Sequence, residues 1–158
     1  MTHDELENVL SHEITHIQKD HVFKGYAFWL KAMVPAYCVA VLLVRIIDFK
    51  IGGINIKLSS TPNPMFAGLT SIGLAYTLAY LPSTWYERKS EKEADLGAVD
   101  LTGNKQLVQA LEKHETWQKK YAPCSYRLLE AMPWLFNHPS NTQRKKYIQE
   151  YTPQPVAV

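Results

Sequence analysis

The chain has 158 residues, which is the length of one ordinary domain. Its formal net charge is +2, which is too small to indicate a protein that binds nucleic acid. The two cysteines, Cys38 and Cys124, form no CxxC pair, so the sequence predicts neither a disulfide framework nor a cysteine-ligated metal site.

The first predicted element is a helix that begins almost at the start of the chain. Thr2 and Glu5 have the spacing of a capping box, in which each side chain accepts a hydrogen bond from the backbone of the other residue. Apolar residues then recur every three or four positions, which predicts that this helix has a buried apolar face. They are Leu6, Val9, Leu10, Ile14 and Ile17.

Two long apolar segments follow, at residues 26–47 and 65–86. The first contains two charged residues and the second contains none, and each is long enough to cross a hydrocarbon core of about 30 Å as a helix. We therefore predict a transmembrane helical hairpin with residues 48–64 as its short outer loop, in which INIKL forms a short strand at most. The alternative is a pair of buried helices in the core of a soluble protein.

Lysine and arginine residues are more numerous on the side of the hairpin where both chain ends lie. The five on that side are Lys19, Lys24, Arg88, Lys89 and Lys92, and the three on the loop side are Arg45, Lys50 and Lys57. The positive-inside rule then predicts an integral membrane protein whose two ends face the cytoplasm.

The remaining segments also have helical patterns. A charged helix is predicted from about Ser83 to Thr102, with Gly103 ending it. An amphipathic helix follows over KQLVQALEKHETWQKK, with an inward face of Leu107, Leu111 and Trp117. A shorter helix at 125–132 and a final one that begins after NHPS and runs to about Tyr151 complete a fold that we predict to be mainly α.

The stretch SHEITH, at residues 11–16, contains the pattern H-E-x-x-H. His12 and His16 lie on the same face of a helix, so two imidazole nitrogens can be directed at one zinc ion. Glu13 can reach a water molecule that the ion has made acidic, take its proton and pass it to the leaving amine of a cleaved peptide. A polar helix face that has this pattern by chance is the alternative.

A catalytic zinc ion needs a third protein ligand and an open fourth position. The segment ERKSEKEADLG supplies four carboxylates, which are Glu87, Glu91, Glu93 and Asp95. Glu91 and Asp95 are again four residues apart, so one of them can bind zinc while the other accepts a hydrogen bond from the far nitrogen of a ligand histidine. Without a metal, the segment would be a solvated helix with Glu–Lys pairs.

Three blocks of the sequence, in this order, resemble the HtpX and CAAX-prenyl endopeptidase family of membrane-bound zinc metallopeptidases, within the gluzincins. They are DELENVLSHEITHIQKDH, SEKEADLGAVDLTG and FNHPSNTQRKKYI, with the hairpin between the first two. The resemblance implies a zincin-like helical catalytic domain, one domain over residues 1–158, interrupted by the hairpin. It also implies one Zn²⁺ per chain, with Glu13 as the general base and three ligands, His12, His16 and Glu91.

The resemblance assigns further residues to the surroundings of the metal. Asp95 would be the partner of a ligand histidine. His138 and Arg144 would line the cleft, His138 assisting at the oxyanion and Arg144 pairing with an acid. For His138, a helix-capping role before Pro139 stays open. The other histidines are interpreted as surface or helix-end residues, and these are His3, His21 and His114.

Members of this family have more chain before the zinc helix, including a strand that pairs with the substrate backbone, whereas here only Met1 precedes Thr2. Three explanations stay open: the chain starts further upstream, the gene is truncated, or a partner chain supplies the missing part. The predicted function is a zinc endopeptidase that acts on polypeptides, in contact with membrane lipid and without nucleic acid. The alternative is a non-catalytic membrane protein that retains the zinc site.

Overall fold

The computed structural model describes residues 1–46, 48–51, 54–57, 64–132 and 135–153. The described part is mainly α, which confirms the predicted fold class. Its elements in chain order are α1 (His3–Gln18), α2 (His21–Ile46), β1 (Asp48–Ile51), β2 (Ile54–Lys57), α3 (Pro64–Thr102), α4 (Leu107–Tyr121), α5 (Pro123–Ala131) and α6 (Asn141–Glu150).

The two strands form an antiparallel pair between the long helices α2 and α3. Asp48 is opposite Lys57, and Ile51 is opposite Ile54. The strand β2 coincides with the segment INIK that the sequence indicated, whereas β1 falls in a segment that was predicted to be loop. The predicted loop residues 52–53 and 58–63 lie outside the described residues.

The chain divides into two compact units. One unit comprises Met1–Gly25 and Thr84–Val158, and the other comprises Tyr26–Ser83. The helices α2 and α3 therefore contribute to both units. The prediction of a single domain over residues 1–158 stays a prediction.

In the unit Tyr26–Ser83, α2 and α3 pack through small side chains. The seam consists of Ala36, Ala40, Ala75 and Ala79. Small residues allow helix backbones to approach closely, as in membrane helices. Both helices are long and apolar enough to cross a membrane, and only 11% of the apolar window of α2 and 17% of that of α3 is buried. Helices in the core of a soluble protein are mostly buried, so this exposure favours the hairpin prediction over its alternative.

In the other unit, α3, α4 and α6 share a small apolar core. It consists of Ala98, Val99, Leu107, Val108, Leu111 and Ile148. Leu107 and Leu111 are buried as predicted. The prediction for Trp117 was wrong, because this side chain is 56% exposed, where it stacks on His114 and contacts the tilted ring of Tyr121.

The prediction for the buried face of α1 was also wrong. Its buried residues are polar, and they are Glu5, Asn8, Ser11, His12 and Thr15. Four of the five apolar residues that predicted the buried face are exposed instead, and these are Leu6, Leu10, Ile14 and Ile17. The buried polar groups are paired across the unit, since Lys113 Nζ lies 2.7 Å from Glu5 Oε1 and Asn8 donates to Asn104 at 2.8 Å. The helix therefore packs through hydrogen bonds and ion pairs rather than through its apolar stripe.

The ends of the helices follow their local sequence signals. Both hydrogen bonds of the Thr2–Glu5 capping box are present at the start of α1, and Ser140 and Gln143 form a second box at the start of α6. Gly103 has a φ of 69°, a conformation that costs glycine little, and its N–H donates to the carbonyl of Val99 at 2.9 Å. The predicted end of α3 at Thr102 is therefore confirmed.

Candidate metal centre

The helices α1 and α3 approach each other closely where the candidate ligands lie. Gly97 of α3 faces Thr15 of α1, and a Cβ atom at Gly97 would lie 2.5 Å from Thr15 Cγ2 and 2.7 Å from Thr15 Oγ1. No side chain fits in that gap without a shift of the helices. The glycine thus permits the short distance between α1 and the acidic segment of α3.

Three predicted ligand residues meet in this region, with ligand atoms all within 4.8 Å of one another. His12 Nε2 lies 3.2 Å from His16 Nε2 and 3.7 Å from Glu91 Oε2, and His16 Nε2 lies 3.4 Å from Glu91 Oε1. Ligand atoms at 2.0–2.2 Å from a tetrahedral zinc ion are about 3.3–3.6 Å apart. The distances between the two nitrogens, and from each nitrogen to an oxygen of Glu91, are therefore close to those that a tetrahedral ion requires.

The chemistry of the donor set also fits a cation. His12 Nδ1 lies 2.9 Å from Asp95 Oδ1, and a carboxylate beside Nδ1 favours the tautomer with its proton there. The Nε2 of His12 then presents a lone pair towards His16 Nε2. Two imidazoles and a carboxylate with converging lone pairs are a ligand set typical of zinc.

Asp95 is fully buried, and its carboxylate lies against His12, Arg144 and Tyr147. Arg144 donates to both of its oxygens, with Nε 2.8 Å from Oδ2 and Nη2 2.6 Å from Oδ1, and the Tyr147 hydroxyl donates to Oδ2. Burial alone would raise the pKa of Asp95, but His12, Arg144 and Tyr147 together lower that pKa to about 2. The carboxylate facing His12 is therefore ionised at neutral pH.

Glu91 is buried among cationic and imidazole groups. Burial raises its pKa, but the hydrogen bond with His138 and the charge of Arg144 outweigh this, so the pKa lies below its ordinary value. His138 Nδ1 is 3.1 Å from Glu91 Oε2, and Arg144 Nη2 is 4.0 Å from the same oxygen. Burial lowers the pKa of His16, which favours the neutral imidazole that can bind a metal.

Glu13 and His138 are on the exposed side of this cluster. The side chain of Glu13 is exposed on α1, directly after His12. His138 is exposed in the segment between α5 and α6 and reaches Glu91 as described above. The structure thus brings His138 and Arg144 to the ligand cluster, and it leaves Glu13 accessible to solvent.

Two residues near the cluster were missed in the sequence. Tyr147, one helical turn after Arg144 on α6, hydrogen-bonds Asp95, and this spacing was the only signal for it. His21 was interpreted as a surface or helix-end residue. It is the first residue of α2, but its side chain is buried and its Nδ1 lies 3.0 Å from His16 Nδ1. The helix-end position of His21 is therefore as predicted, whereas the surface position is wrong, and His21 is a further histidine beside the ligand cluster.

The two other histidines have the exposed positions that were predicted. His114 is exposed on α4, where it stacks on Trp117. His3 is exposed beside Asp4 and Glu7, and these three residues also hold potential ligand atoms near one another. Exposed acidic groups of this kind are common on protein surfaces, so we assign no function to them.

Comparison with known proteins identifies the class. The family model described as Peptidase family M48 matches residues 1–152, and the chain belongs to that family. This confirms the resemblance recognised in the three sequence blocks.

Several curated relatives carry the name Protease HtpX. The relative from Pectobacterium atrosepticum is 30% identical over 122 residues, covering 73% of this chain and 41% of the relative. The relative from Vibrio vulnificus is 31% identical over 117 residues, covering 72% and 39%, and that from Vibrio cholerae is 28% identical over 124 residues, covering 77% and 42%. The chain therefore spans about two fifths of the length of these relatives. No solved structure matches the chain.

Proposed function

We propose that the protein is a zinc-dependent endopeptidase that hydrolyses peptide bonds of polypeptides at a membrane. The observation that carries this proposal is the convergence of His12, His16 and Glu91, with distances suited to a tetrahedral ion. Membership of peptidase family M48 and the protease name of the relatives support it.

In this proposal each residue of the cluster has a defined task. His12, His16 and Glu91 hold one zinc ion. Zinc, when bound, supplies Lewis acidity that makes water easier to deprotonate and polarises the carbonyl of the substrate. Glu13, exposed beside the ligands, accepts the proton of the attacking water and donates it to the leaving amine.

The buried groups behind the ligands keep them oriented. The Asp95 carboxylate favours the tautomer of His12 that has its proton on Nδ1, because its oxygen lies 2.9 Å from that nitrogen. Arg144 and Tyr147 hold Asp95 in turn. His138 donates a hydrogen bond to the oxygen on which negative charge develops in the transition state, and its exposed position beside Glu91 supports this assignment.

The setting that we propose is the membrane, with α2 and α3 forming the hairpin at residues 26–47 and 65–86. The largely exposed apolar surface of these helices supports contact with lipid. The excess of lysine and arginine beside the chain ends supports a cytoplasmic position of the metal centre. The substrates would then be polypeptides that are accessible from the cytoplasmic face.

The test is the substitution Glu13→Gln in the full chain, purified in detergent and assayed with an unfolded polypeptide as substrate. Removal of a general base typically lowers the rate about 10²–10⁴-fold, so cleavage should fall by at least about 100-fold. The zinc content should stay unchanged, because Glu13 is not a ligand. Glu7→Gln is the matched control, since Glu7 is an exposed glutamate of the same helix.

Equal cleavage by the wild type and Glu13→Gln would contradict the proposed catalysis. A wild type that retains zinc but shows no cleavage that depends on Glu13 would instead support the non-catalytic alternative, in which the metal site serves structure or binding.

A further inference from the structure

His21 lies against a proposed metal ligand although it comes from a different helix. It is the first residue of α2, its side chain is 5% exposed, and its Nδ1 is 3.0 Å from His16 Nδ1. The two rings are 4.9 Å apart between centroids at an angle of 80°, so they meet edge to face rather than stacked. The short contact between the two nitrogens is therefore a hydrogen bond and not a packing contact.

The direction of this hydrogen bond follows from the proposed metal centre. If Nε2 of His16 binds the ion, the single ring proton of the neutral His16 is on Nδ1, and Nδ1 must then donate the hydrogen bond to His21. His21 Nδ1 must then accept, so the proton of His21 is on Nε2. That buried Nε2 lies 3.4 Å from Glu93 Oε2 without forming a hydrogen bond to it, so the carboxylate is a nearby negative charge and not an acceptor of the His21 N–H group.

Glu93 lies near two cations at the protein surface. Lys89 Nζ lies 3.9 Å from Glu93 Oε1, and Lys19 Nζ lies 4.0 Å from Glu93 Oε2. The three side chains are between 42% and 59% exposed, so these long ion pairs add little to the position of the carboxylate. His21 thus lies between His16 and Glu93, and the two lysines lie near Glu93.

We propose that His21 is a positioning residue that holds the imidazole of His16 with Nε2 turned towards the metal. The negative charge of Glu93, whose Oε2 lies 3.4 Å from His21 Nε2, favours the tautomer of His21 that has its proton on Nε2 and can accept at Nδ1. The inference rests on the proposed metal centre and extends it, because the two ligand histidines are held in different ways. His12 lies beside the carboxylate of Asp95, whereas His16 is hydrogen-bonded to a second imidazole.

The surroundings of His21 make substitutions there informative. His21 and Glu93 line a polar cavity of about 300 Å³, together with Lys19, Tyr86 and Lys89. A side chain of similar or smaller size can therefore replace His21 without clashing. His21→Leu removes the acceptor, and His21→Asn retains one, because the side-chain oxygen of asparagine occupies a position similar to that of Nδ1.

The experiment compares the two variants with the wild type and with His114→Leu, the same substitution at an exposed histidine of α4. Zinc affinity is measured by competition with a chelator, and the visible absorption spectrum of the Co²⁺-substituted protein reports the geometry of the ligands. We expect His21→Leu to weaken zinc binding about 10–100-fold and to change the Co²⁺ spectrum. His21→Asn should restore most of the affinity and the wild-type spectrum, and His114→Leu should match the wild type.

The outcomes separate this inference from the proposed function. A wild type that binds neither zinc nor Co²⁺ would overturn the proposed metal centre and the inference with it. A wild type that binds zinc, with His21→Leu equal to it in affinity and spectrum, would overturn the inference alone. If His21→Asn were as defective as His21→Leu, the role of His21 would be packing, and the inference would be wrong.

Discussion

Buried charged residues of this protein occur in groups whose members satisfy one another. Asp95 is paired with Arg144, and Glu115 of α4 is paired with lysines from two helices. Such pairing is necessary because an ionised group without a partner is costly to bury. The two groups differ in their position, because Asp95 faces the proposed metal centre and Glu115 does not. A substitution of Glu115 should therefore change the stability of the fold without changing the metal site.

Glu115 provides a prediction of how stability depends on pH. Its oxygens lie 2.6 Å from Lys119 Nζ and 2.6 Å from Lys145 Nζ, and the Tyr126 hydroxyl donates to it at 3.0 Å. Hydrogen bonds from these lysines lower the pKa of Glu115 to about 2 in the folded protein, from an ordinary value of 4.5. The contribution of Glu115 to stability is therefore complete above the ordinary value and is lost as the pH falls towards 2.

We expect Glu115→Gln to lower the unfolding temperature at pH 7, with a difference from the wild type that shrinks between about pH 5 and pH 2. Thermal unfolding in detergent, followed by circular dichroism across this pH range, measures the difference. Glu112→Gln, an exposed glutamate of the same helix, is the control and should match the wild type. A difference for Glu115→Gln that is independent of pH would contradict the assignment.

At the scale of elements, the packing of α1 against α3 determines whether the proposed ligands meet. Gly97 lies where a Cβ atom would come within 2.5 Å of Thr15 Cγ2. Thr15 is β-branched, and its hydroxyl donates to the Ser11 carbonyl at 2.8 Å, so its side chain has little freedom to move away. Relief of the clash therefore requires a displacement of the helices.

We expect Gly97→Ala to destabilise the protein by about 1–3 kcal/mol, as overpacking of a tight contact usually does, and to weaken zinc retention. Thermal unfolding and zinc content after dialysis are the two measurements. Gly73→Ala is the matched control in the same helix, because a Cβ atom at Gly73 would meet nothing within 4 Å. The proposed role of the close contact would be wrong if both variants retained zinc and stability equally.

The helix α1 also shows what periodicity can and cannot predict. The apolar stripe with Ile17, which is 75% exposed, was correctly detected as a helical pattern but was assigned to the wrong side. The buried side carries the proposed ligand His12 and residues such as Glu5 and Asn8, whose burial depends on partners from α4 and the segment after α3. Those partners are distant in sequence, so the repeat of apolar residues could not reveal them.

At the scale of the whole molecule, the family and the arrangement of the two apolar helices could be predicted because they rest on local signals. The H-E-x-x-H pattern lies within one helix, and the apolar runs of α2 and α3 are continuous. The contacts of His21 and Tyr147 could not be predicted in this way. Each depends on how helices that are separate in the sequence pack together, and neither residue belongs to a pattern of ligand spacing.

The measurement that tests the central claim most directly is the zinc content of the detergent-purified chain by elemental analysis, with Glu91→Ala alongside and Glu112→Ala as a control. Three protein ligands should retain about one zinc ion per wild-type chain. The Glu112→Ala variant should contain as much zinc as the wild type, and Glu91→Ala should contain much less. Two results would contradict a metal centre formed by His12, His16 and Glu91. One is a wild type that contains no zinc, and the other is a Glu91→Ala variant that contains as much zinc as the wild type.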